Sequence, residues 1–314
     1  MIGVVLDAVD GMPVGLPLVV PNLAGAVQSL RTMLELDFMR QAFLAGTALS
    51  LVAGLVGYLV VLRRLIFTSD FLSHVAFPGA LGAILLGISP LLGVFGLSAS
   101  VALGLSALGE RARARDVTTG TALAWVFGVG ALLLSLYTSG SSARNSTVGV
   151  NVLFGSIFGL QTRQAQLVAL VGALVVVVLL VVARPLLFAS LDPDVAAARG
   201  VPVRLLNAVF LILLAVTTAE AVQAVGALLI FALLITPAAI ARRLTVRPYA
   251  AWLLSGLLAI GFTWAGLVLA YELPYPVSFF ITGLAFAGYV AVVAVQWVAT
   301  LRRPAGRTAP GPAG

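Results

Sequence analysis

Long apolar runs dominate the hydrophobic pattern of this chain, and short polar or Gly/Pro clusters separate them. A helix needs about 20 predominantly apolar residues to cross the hydrocarbon core of a bilayer. On that criterion the runs predict an all-α fold, a polytopic transmembrane bundle of about nine spans. The predicted spans lie near 42–62, 72–87, 90–108, 117–138, 165–183, 203–219, 221–241, 249–270 and 276–297.

Three segments fall outside these runs. Residues 1–40 predict a surface-lying leader, because Asp7 and Asp10 stand where a cleavable signal peptide would carry basic residues. Residues 147–160 are too short for an ordinary span and fit a re-entrant or interfacial helix. Residues 300–314 form a disordered basic tail by composition, so the transmembrane domain is predicted at 41–299.

The arginines predict the orientation, since loops on the cytoplasmic side of a membrane protein retain positive charge. With nine spans and the N-terminus outside, only Arg31, Arg40, Arg144 and Arg163 lie outside. The C-terminus is then cytoplasmic, as are the other arginines: Arg63, Arg64, Arg111, Arg113, Arg115, Arg184, Arg199, Arg204, Arg242, Arg243, Arg247, Arg302, Arg303 and Arg307.

Composition narrows the class of protein. Hydrophobic residues make up 61% of the chain and charged residues 9%, with a mean hydropathy of +1.14, which predicts a multi-pass protein of the cell membrane surrounded by lipid. Cysteine is absent, which excludes disulfides and thiolate metal sites. The net charge of +7 reflects basic residues retained in cytoplasmic loops, so we expect no nucleic-acid partner. Nine spans leave no room for an ATPase or enzyme domain, and we expect a non-enzymatic chain without a resident cofactor.

Asp70 and His74, the only histidine of the chain, are the first candidate for chemistry. A spacing of four places both side chains on one face of a helix, where a carboxylate oxygen and an imidazole nitrogen can share a cation. An ionisable residue inside a membrane costs free energy, so its presence favours a functional role. The alternative is that Thr68, Ser69 and Asp70 form a helix N-cap while His74 makes a structural hydrogen bond.

The segment L-D-P-D-V-A-A-A-R-G-V-P, 191–202, spells a two-turn helix between two spans. Asp192 suits the N-cap, Pro193 the first helical position, Asp194 the first turn, Arg199 the last turn and Gly200 a left-handed C-cap. Such a rigid helix on a cytoplasmic loop suits docking to a soluble partner. The alternative is an ordinary tight loop, which favours the same caps.

Glu220 is predicted at the outer junction of two spans, beside Gln223. There it can attract a cation at the external mouth of a pathway. The alternative is an acid solvated by the loop.

Four motifs, in order, resemble the membrane permeases of zinc, manganese and iron ABC importers. S-D-F-L-S-H-V-A-F-P-G (69–79) resembles the family's Gly-Asp-x-x-Ser-His-x-x-x-Pro-Gly, with Ser69 in place of the usual glycine. L-F-G-S-I-F-G (153–159) resembles Leu-Phe-Gly-Asn-Ile-Leu-Gly. The segment 191–200 is similar to the coupling loop Phe-Asp-Pro-x-x-Ala-x-x-x-Gly, and 223–239 follows the family pattern throughout.

The resemblance implies a homodimer lining a central pathway, in which Asp70 and His74 of each subunit meet the transported zinc or manganese, or iron. It also implies that 192–200 is a coupling helix seated in a separate cytoplasmic ATP-binding subunit, which hydrolyses the ATP. An extracytoplasmic binding protein would deliver the metal, and alternating access would carry it inward. Two alternatives remain: a permease for iron chelates or cobalamin, and an ion-coupled secondary transporter.

Overall fold

The computed structural model describes residues 33, 35–113, 116–139 and 157–301, and these residues are helical with no strand among them. The all-α prediction is therefore confirmed for the described part of the chain. The helices are α1 (Asp37–Leu62), α2 (Ile66–Leu85), α3 (Pro90–Arg113), α4 (Asp116–Ser139), a 3-10 turn (Ile157–Gly159), α5 (Thr162–Leu191), α6 (Pro193–Ala198), α7 (Val203–Val225), α8 (Ala227–Leu244), α9 (Pro248–Glu272) and α10 (Val277–Leu301).

Each predicted span overlaps mainly with one long helix, although the span predicted at 221–241 also includes the end of α7. Seven of these helices are long and apolar enough to cross a membrane, namely α1, α3, α4, α5, α7, α9 and α10. The other two helices at predicted spans are α2, which carries Asp70 and His74, and α8, whose last turn contains Arg242 and Arg243. The nine-span count therefore stays a prediction.

Several predicted boundaries shift. The leader was predicted to extend to residue 40, but α1 already begins at Asp37. The earlier part of the leader lies outside the described residues, as do 147–156 of the predicted re-entrant segment and 302–314 of the tail. The predicted boundary between 219 and 221 is wrong, because α7 continues to Val225 and Gly226 separates it from α8.

Two of the apolar helices form the centre of the bundle. The most apolar 18-residue stretches of the candidate spans differ in burial. The buried share of this stretch is 72% in α1 and 67% in α7, against 11% to 33% in the other five candidate spans. Helix α1 packs on α9, α8 and α5, whereas α2 packs on α3, α4 and α7. Helices α3, α4, α5, α9 and α10 therefore present most of their apolar side chains outward, as lipid-facing helices do.

Glycines allow the central helices to approach closely. A Cβ added to Gly57 on α1 would overlap the backbone carbonyl of Leu234 on α8. Likewise Gly79 on α2 and Gly93 on α3 each leave room for the other's carbonyl. Small residues permit this kind of backbone contact between membrane helices. Helix α2 runs unbroken past Pro78 to Leu85, so the Pro78–Gly79 pair serves packing against α3.

Contacts between helix termini define two ends of the bundle. At the first, the end of α1 meets the end of α5 and the start of α7 through Arg63, and the end of α8 through Arg242. At the second end, one cavity is lined by Ser89, Gln164 and the end of α7. Another cavity there is lined by Val225 and the α9–α10 connection. Successive long helices therefore alternate in direction.

We call the first end of the bundle the arginine-rich end and the second end the arginine-poor end, after the distribution of the described arginines. Only Arg40 and Arg163 belong to helix turns at the arginine-poor end. The remaining ones lie toward the arginine-rich end: Arg63, Arg64, Arg111, Arg113, Arg184, Arg199, Arg204, Arg242, Arg243 and Arg247.

Candidate functional site

Asp70 and His74 lie on α2, within its first three turns from the arginine-rich end. The helix begins at Ile66, so Thr68, Ser69 and Asp70 are inside it and do not cap it. The Ser69 hydroxyl donates to the carbonyl oxygen of Ile66, and the Ser69 backbone amide donates to Leu65. The N-cap alternative for these residues is therefore wrong, and the carboxylate of Asp70 is left available on the helix face.

The pair has the geometry expected of two ligands at one ion. His74 Nε2 lies 3.6 Å from Asp70 Oδ1, which is too long for a hydrogen bond. Two ligands at about 2.1 Å from a tetrahedral metal are about 3.4 Å apart. A cation therefore fits between these two atoms with little movement of either side chain.

The surroundings hold the imidazole while leaving the pair accessible. The His74 ring packs against Phe127 of α4 with centroids 4.6 Å apart. Neighbours on the other faces of α2, including Phe71, Leu72 and Val75, are buried. The His74 side chain is 19% exposed and that of Asp70 32%, so both reach a surface that this single chain leaves uncovered.

The described residues of one chain would supply only part of a metal site here. Among the described residues, no group of three or more His, Cys, Asp or Glu side chains converges to hold an ion. Tetrahedral sites for borderline metals use four ligands, and octahedral ones use six. Asp70 and His74 thus need further donors from water, from backbone carbonyls or from another chain.

The short helix α6 forms as its sequence predicts. The Asp192 side chain accepts a 3.0 Å hydrogen bond from the Val195 backbone amide, Pro193 opens the helix and Asp194 lies in the first turn. Gly200 takes the left-handed conformation with φ of +80°. Arg199 is the C-cap residue, one position beyond the predicted last turn. Within α6 every residue except Ala196 is exposed, so its outer face is free for contact at the arginine-rich end.

Arg63 is a functional candidate that the sequence analysis used only for topology. Its Nε donates to the Ser190 hydroxyl at 2.7 Å and its Nη1 donates to Asn207 Oδ1 at 2.6 Å. Its guanidinium also lies 4.8 Å from the centroid of the Phe210 ring. Ser190 ends α5 just before α6, and Asn207 begins α7 just after it. Arg63 therefore ties both helices that flank α6 to the connection leading into α2.

Glu220 is not where the sequence places it. It lies inside α7, more than one turn before the helix ends, and only 3% of its surface is exposed. Neither carboxylate oxygen has a hydrogen-bond partner. The interpretation as a solvated loop acid is therefore wrong. Gln223, one turn further on, is exposed, and both residues line one cavity at the arginine-poor end.

Comparison with known proteins gives a consistent family. Residues 35–297 match the model of the ABC 3 transport family. The manganese import system permease protein ScaB of Streptococcus parasanguinis is 32% identical over 241 residues, covering 76% of this chain and 84% of that protein. The manganese transport system membrane protein MntC of Listeria innocua is 28% identical over 217 residues, covering 69% of this chain and 75% of that protein.

A solved structure shares the fold. The structure of PsaBC from Streptococcus pneumoniae in complex with a Fab contains a chain that superposes with a TM-score of 0.76 at 24% identity. The match covers 88% of this chain and 100% of that chain. The arrangement of helices described above is therefore one that a solved structure also adopts.

Proposed function

Because this chain belongs to the ABC 3 transport family, we propose that it is the membrane permease subunit of an ATP-driven importer for a divalent metal ion, zinc or manganese. The family resemblance inferred from the sequence motifs is confirmed, as is a multi-pass location in the cell membrane. The single observation that carries the proposal is the Asp70–His74 pair, whose 3.6 Å separation suits two ligands of one cation.

A second copy of the chain would complete the donor set. Two Asp70 carboxylates and two His74 imidazoles give an O2N2 site, which suits Zn²⁺ and, with added waters or carbonyls, Mn²⁺. The exposed face of the pair supports this, because a single chain leaves it uncovered. The names of the two relatives, which refer to manganese import and manganese transport, favour manganese as the cargo.

The path of mechanical coupling is proposed to run from α6 to α2. A cytoplasmic ATP-binding subunit docks on α6, whose residues Asp192, Pro193, Asp194, Arg199 and Gly200 form a compact and exposed helix. Movement of α6 displaces the ends of α5 and α7, and Arg63 passes this movement to the start of α2. The Asp70–His74 pair then changes the side of the membrane to which it opens, as alternating access requires.

Orientation and partners follow from the same proposal. The arginine-rich end faces the cytoplasm, since positive residues are retained there, and α6 then lies where an ATP-binding subunit can reach it. The N-terminus is outside and the C-terminus is cytoplasmic. An extracytoplasmic binding protein delivers the metal to the arginine-poor end. The chain itself is not an enzyme and holds no resident cofactor; the metal is its cargo.

Metal accumulation in cells with and without this subunit tests the proposal. We expect that loss of the subunit lowers the cellular content of manganese or zinc while leaving iron chelates unaffected. Depletion of a chelate alone would favour the iron-chelate type of permease. Transport into vesicles that contain this chain and no ATP-binding subunit would instead favour an ion-coupled secondary transporter.

A further inference from the structure

A cavity of about 610 Å³ lies at the arginine-poor end of the bundle, outside the Asp70–His74 site. Its walls come from the α2–α3 connection, the start of α5 and the last turns of α7. Most of the lining is apolar, including Phe95, Leu160 and Val168. The polar residues among its described lining are Ser89, Gln164, Glu220 and Gln223, and the Glu220 carboxylate oxygens are buried in its wall.

Glu220 is the group in this cavity that needs an explanation. It is 3% exposed, and neither of its carboxylate oxygens has a hydrogen-bond partner. The backbone of Gly172 on α5 is close to this carboxylate, in a geometry outside the usual limits for a hydrogen bond. A buried carboxylate without a partner either stays protonated or takes up a counter-charge, because the isolated ionised form is strongly unfavourable. Among the described residues, no arginine lines the cavity to provide one.

We propose that this cavity is a second cation site, in which Glu220 binds a divalent ion of the Mn²⁺ type that keeps part of its water shell. The described lining residues carry oxygen donors in the Glu220 carboxylate, the Gln223 and Gln164 amides and the Ser89 hydroxyl, and none of them is a histidine or a sulfur residue. Oxygen-only sets favour hard cations such as Mn²⁺ over Zn²⁺. The inference rests on the proposed import of a divalent metal.

The size of the cavity fits a hydrated ion. A water molecule occupies about 30 Å³ in the liquid, so a shell of six waters needs about 180 Å³. The cavity volume of about 610 Å³ exceeds this several-fold. With one carboxylate only, the site does not neutralise a divalent ion fully. The ion is therefore held weakly enough to move on.

The depth of Glu220 in the bundle indicates where this site lies along the transport pathway. Glu220 lies five residues before the end of α7, about 8 Å along the helix axis. His74 lies eleven residues before the end of α2, about 17 Å from the same end of the bundle. With the arginine-poor end outside, an incoming ion reaches the depth of Glu220 before that of His74.

Mn²⁺ binding to the detergent-purified complex of this chain with its ATP-binding subunit tests the inference. The free Mn²⁺ signal in electron paramagnetic resonance, followed during titration with MnCl2, gives the number of bound ions. The titration is made in an Asp70→Asn, His74→Ala background, which removes the first site. We expect one Mn²⁺ per permease chain to remain, and Glu220→Gln in this background to abolish it.

Two further variants make the result decisive. Glu272→Gln neutralises an exposed acid at the end of α9, at the same end of the bundle, and should leave the remaining Mn²⁺ in place. Glu220→Asp keeps the carboxylate and should retain binding, which covers the case in which Glu220→Gln does not assemble. Absence of Mn²⁺ from the background protein, or equal binding with and without Glu220→Gln, would overturn the inference. Neither result bears on whether Asp70 and His74 are needed for uptake.

Discussion

Arg63 Nη1 donates a hydrogen bond of 2.6 Å to Asn207 Oδ1, and this contact joins the end of α1 to the start of α7 across the arginine-rich end of the bundle. The same guanidinium reaches Ser190 at the end of α5 through Nε. Helix α6 connects α5 to α7, and α2 begins three residues after Arg63. One side chain in the connection to the proposed metal helix thus contacts both helices that flank the proposed docking helix.

Replacement of Arg63 by alanine should uncouple ATP hydrolysis from transport. The change removes the hydrogen bonds from the guanidinium to Ser190 and Asn207, and a hydrogen bond to a charged group typically contributes about 1.5–3 kcal/mol. We expect ATP hydrolysis by the assembled complex to continue while metal uptake per ATP falls. Uptake and phosphate release, measured together in vesicles, give this ratio.

Arg64 provides the matched control for Arg63. It has the same charge and is adjacent in sequence, but its side chain is exposed. Arg64→Gln should leave the ratio of uptake to ATP hydrolysis unchanged. If Arg63→Ala also leaves this ratio unchanged in a complex that assembles, Arg63 has no part in coupling.

Removal of the cap of α6 should weaken coupling by loosening the docking helix. Asp192→Ala deletes the acceptor of the Val195 amide and costs about 0.5–2 kcal/mol of local helix stability. Gly200→Val forces a β-branched residue into the left-handed conformation that ends the helix. Each change should lower the stimulation of ATP hydrolysis by metal-loaded binding protein, measured in the reconstituted complex.

Asp192→Asn separates the cap from the charge at this position. Asparagine is as good an N-cap as aspartate, so this variant should retain coupling if helix geometry is what the ATP-binding subunit requires. Equal loss in Asp192→Asn and Asp192→Ala would indicate that the charge itself makes the contact. Full coupling in both Asp192→Ala and Gly200→Val would contradict a docking role for α6.

Gly57→Ala should destabilise the bundle although it adds a single methyl group. The added Cβ would overlap the Leu234 carbonyl, so α1 and α8 must move apart. Overpacking of this kind typically costs about 1–3 kcal/mol. The melting temperature of the purified complex measures the loss. Gly261→Ala, where a Cβ meets nothing within 4 Å, should leave that temperature unchanged or raise it; equal melting of the two variants would refute the close contact.

The parts of this molecule that sequence predicted correctly depend on local rules. Apolar runs of bilayer length became the long helices, since backbone groups in lipid must be satisfied within a helix. Helix α6 followed from its caps, because Asp192, Pro193 and Gly200 each act within one turn. The four-residue spacing of Asp70 and His74 likewise needs only helix geometry to bring them together.

The parts that sequence missed depend on contacts between distant segments. Arg63 and Asn207 are 144 positions apart, and no local pattern distinguishes Arg63 from the neighbouring Arg64. Glu220 was placed at a junction because an acid interrupts the apolar run there. The boundary at Gly226 was set instead by a backbone conformation with φ of +86°, which hydropathy does not register. The burial of Glu220 follows from the packing of α7 against neighbouring helices, which local sequence does not reveal.

ATP-driven metal uptake into vesicles containing this chain and its ATP-binding subunit tests the central claim most directly. Mn²⁺ and Zn²⁺ uptake should be compared for the unaltered chain, Asp70→Asn, His74→Ala and the control Glu272→Gln, each with assembly of the complex verified. We predict that Asp70→Asn and His74→Ala reduce uptake to the level of vesicles without protein, whereas Glu272→Gln transports normally. Undiminished uptake by assembled Asp70→Asn and His74→Ala complexes would contradict the assignment of the metal site.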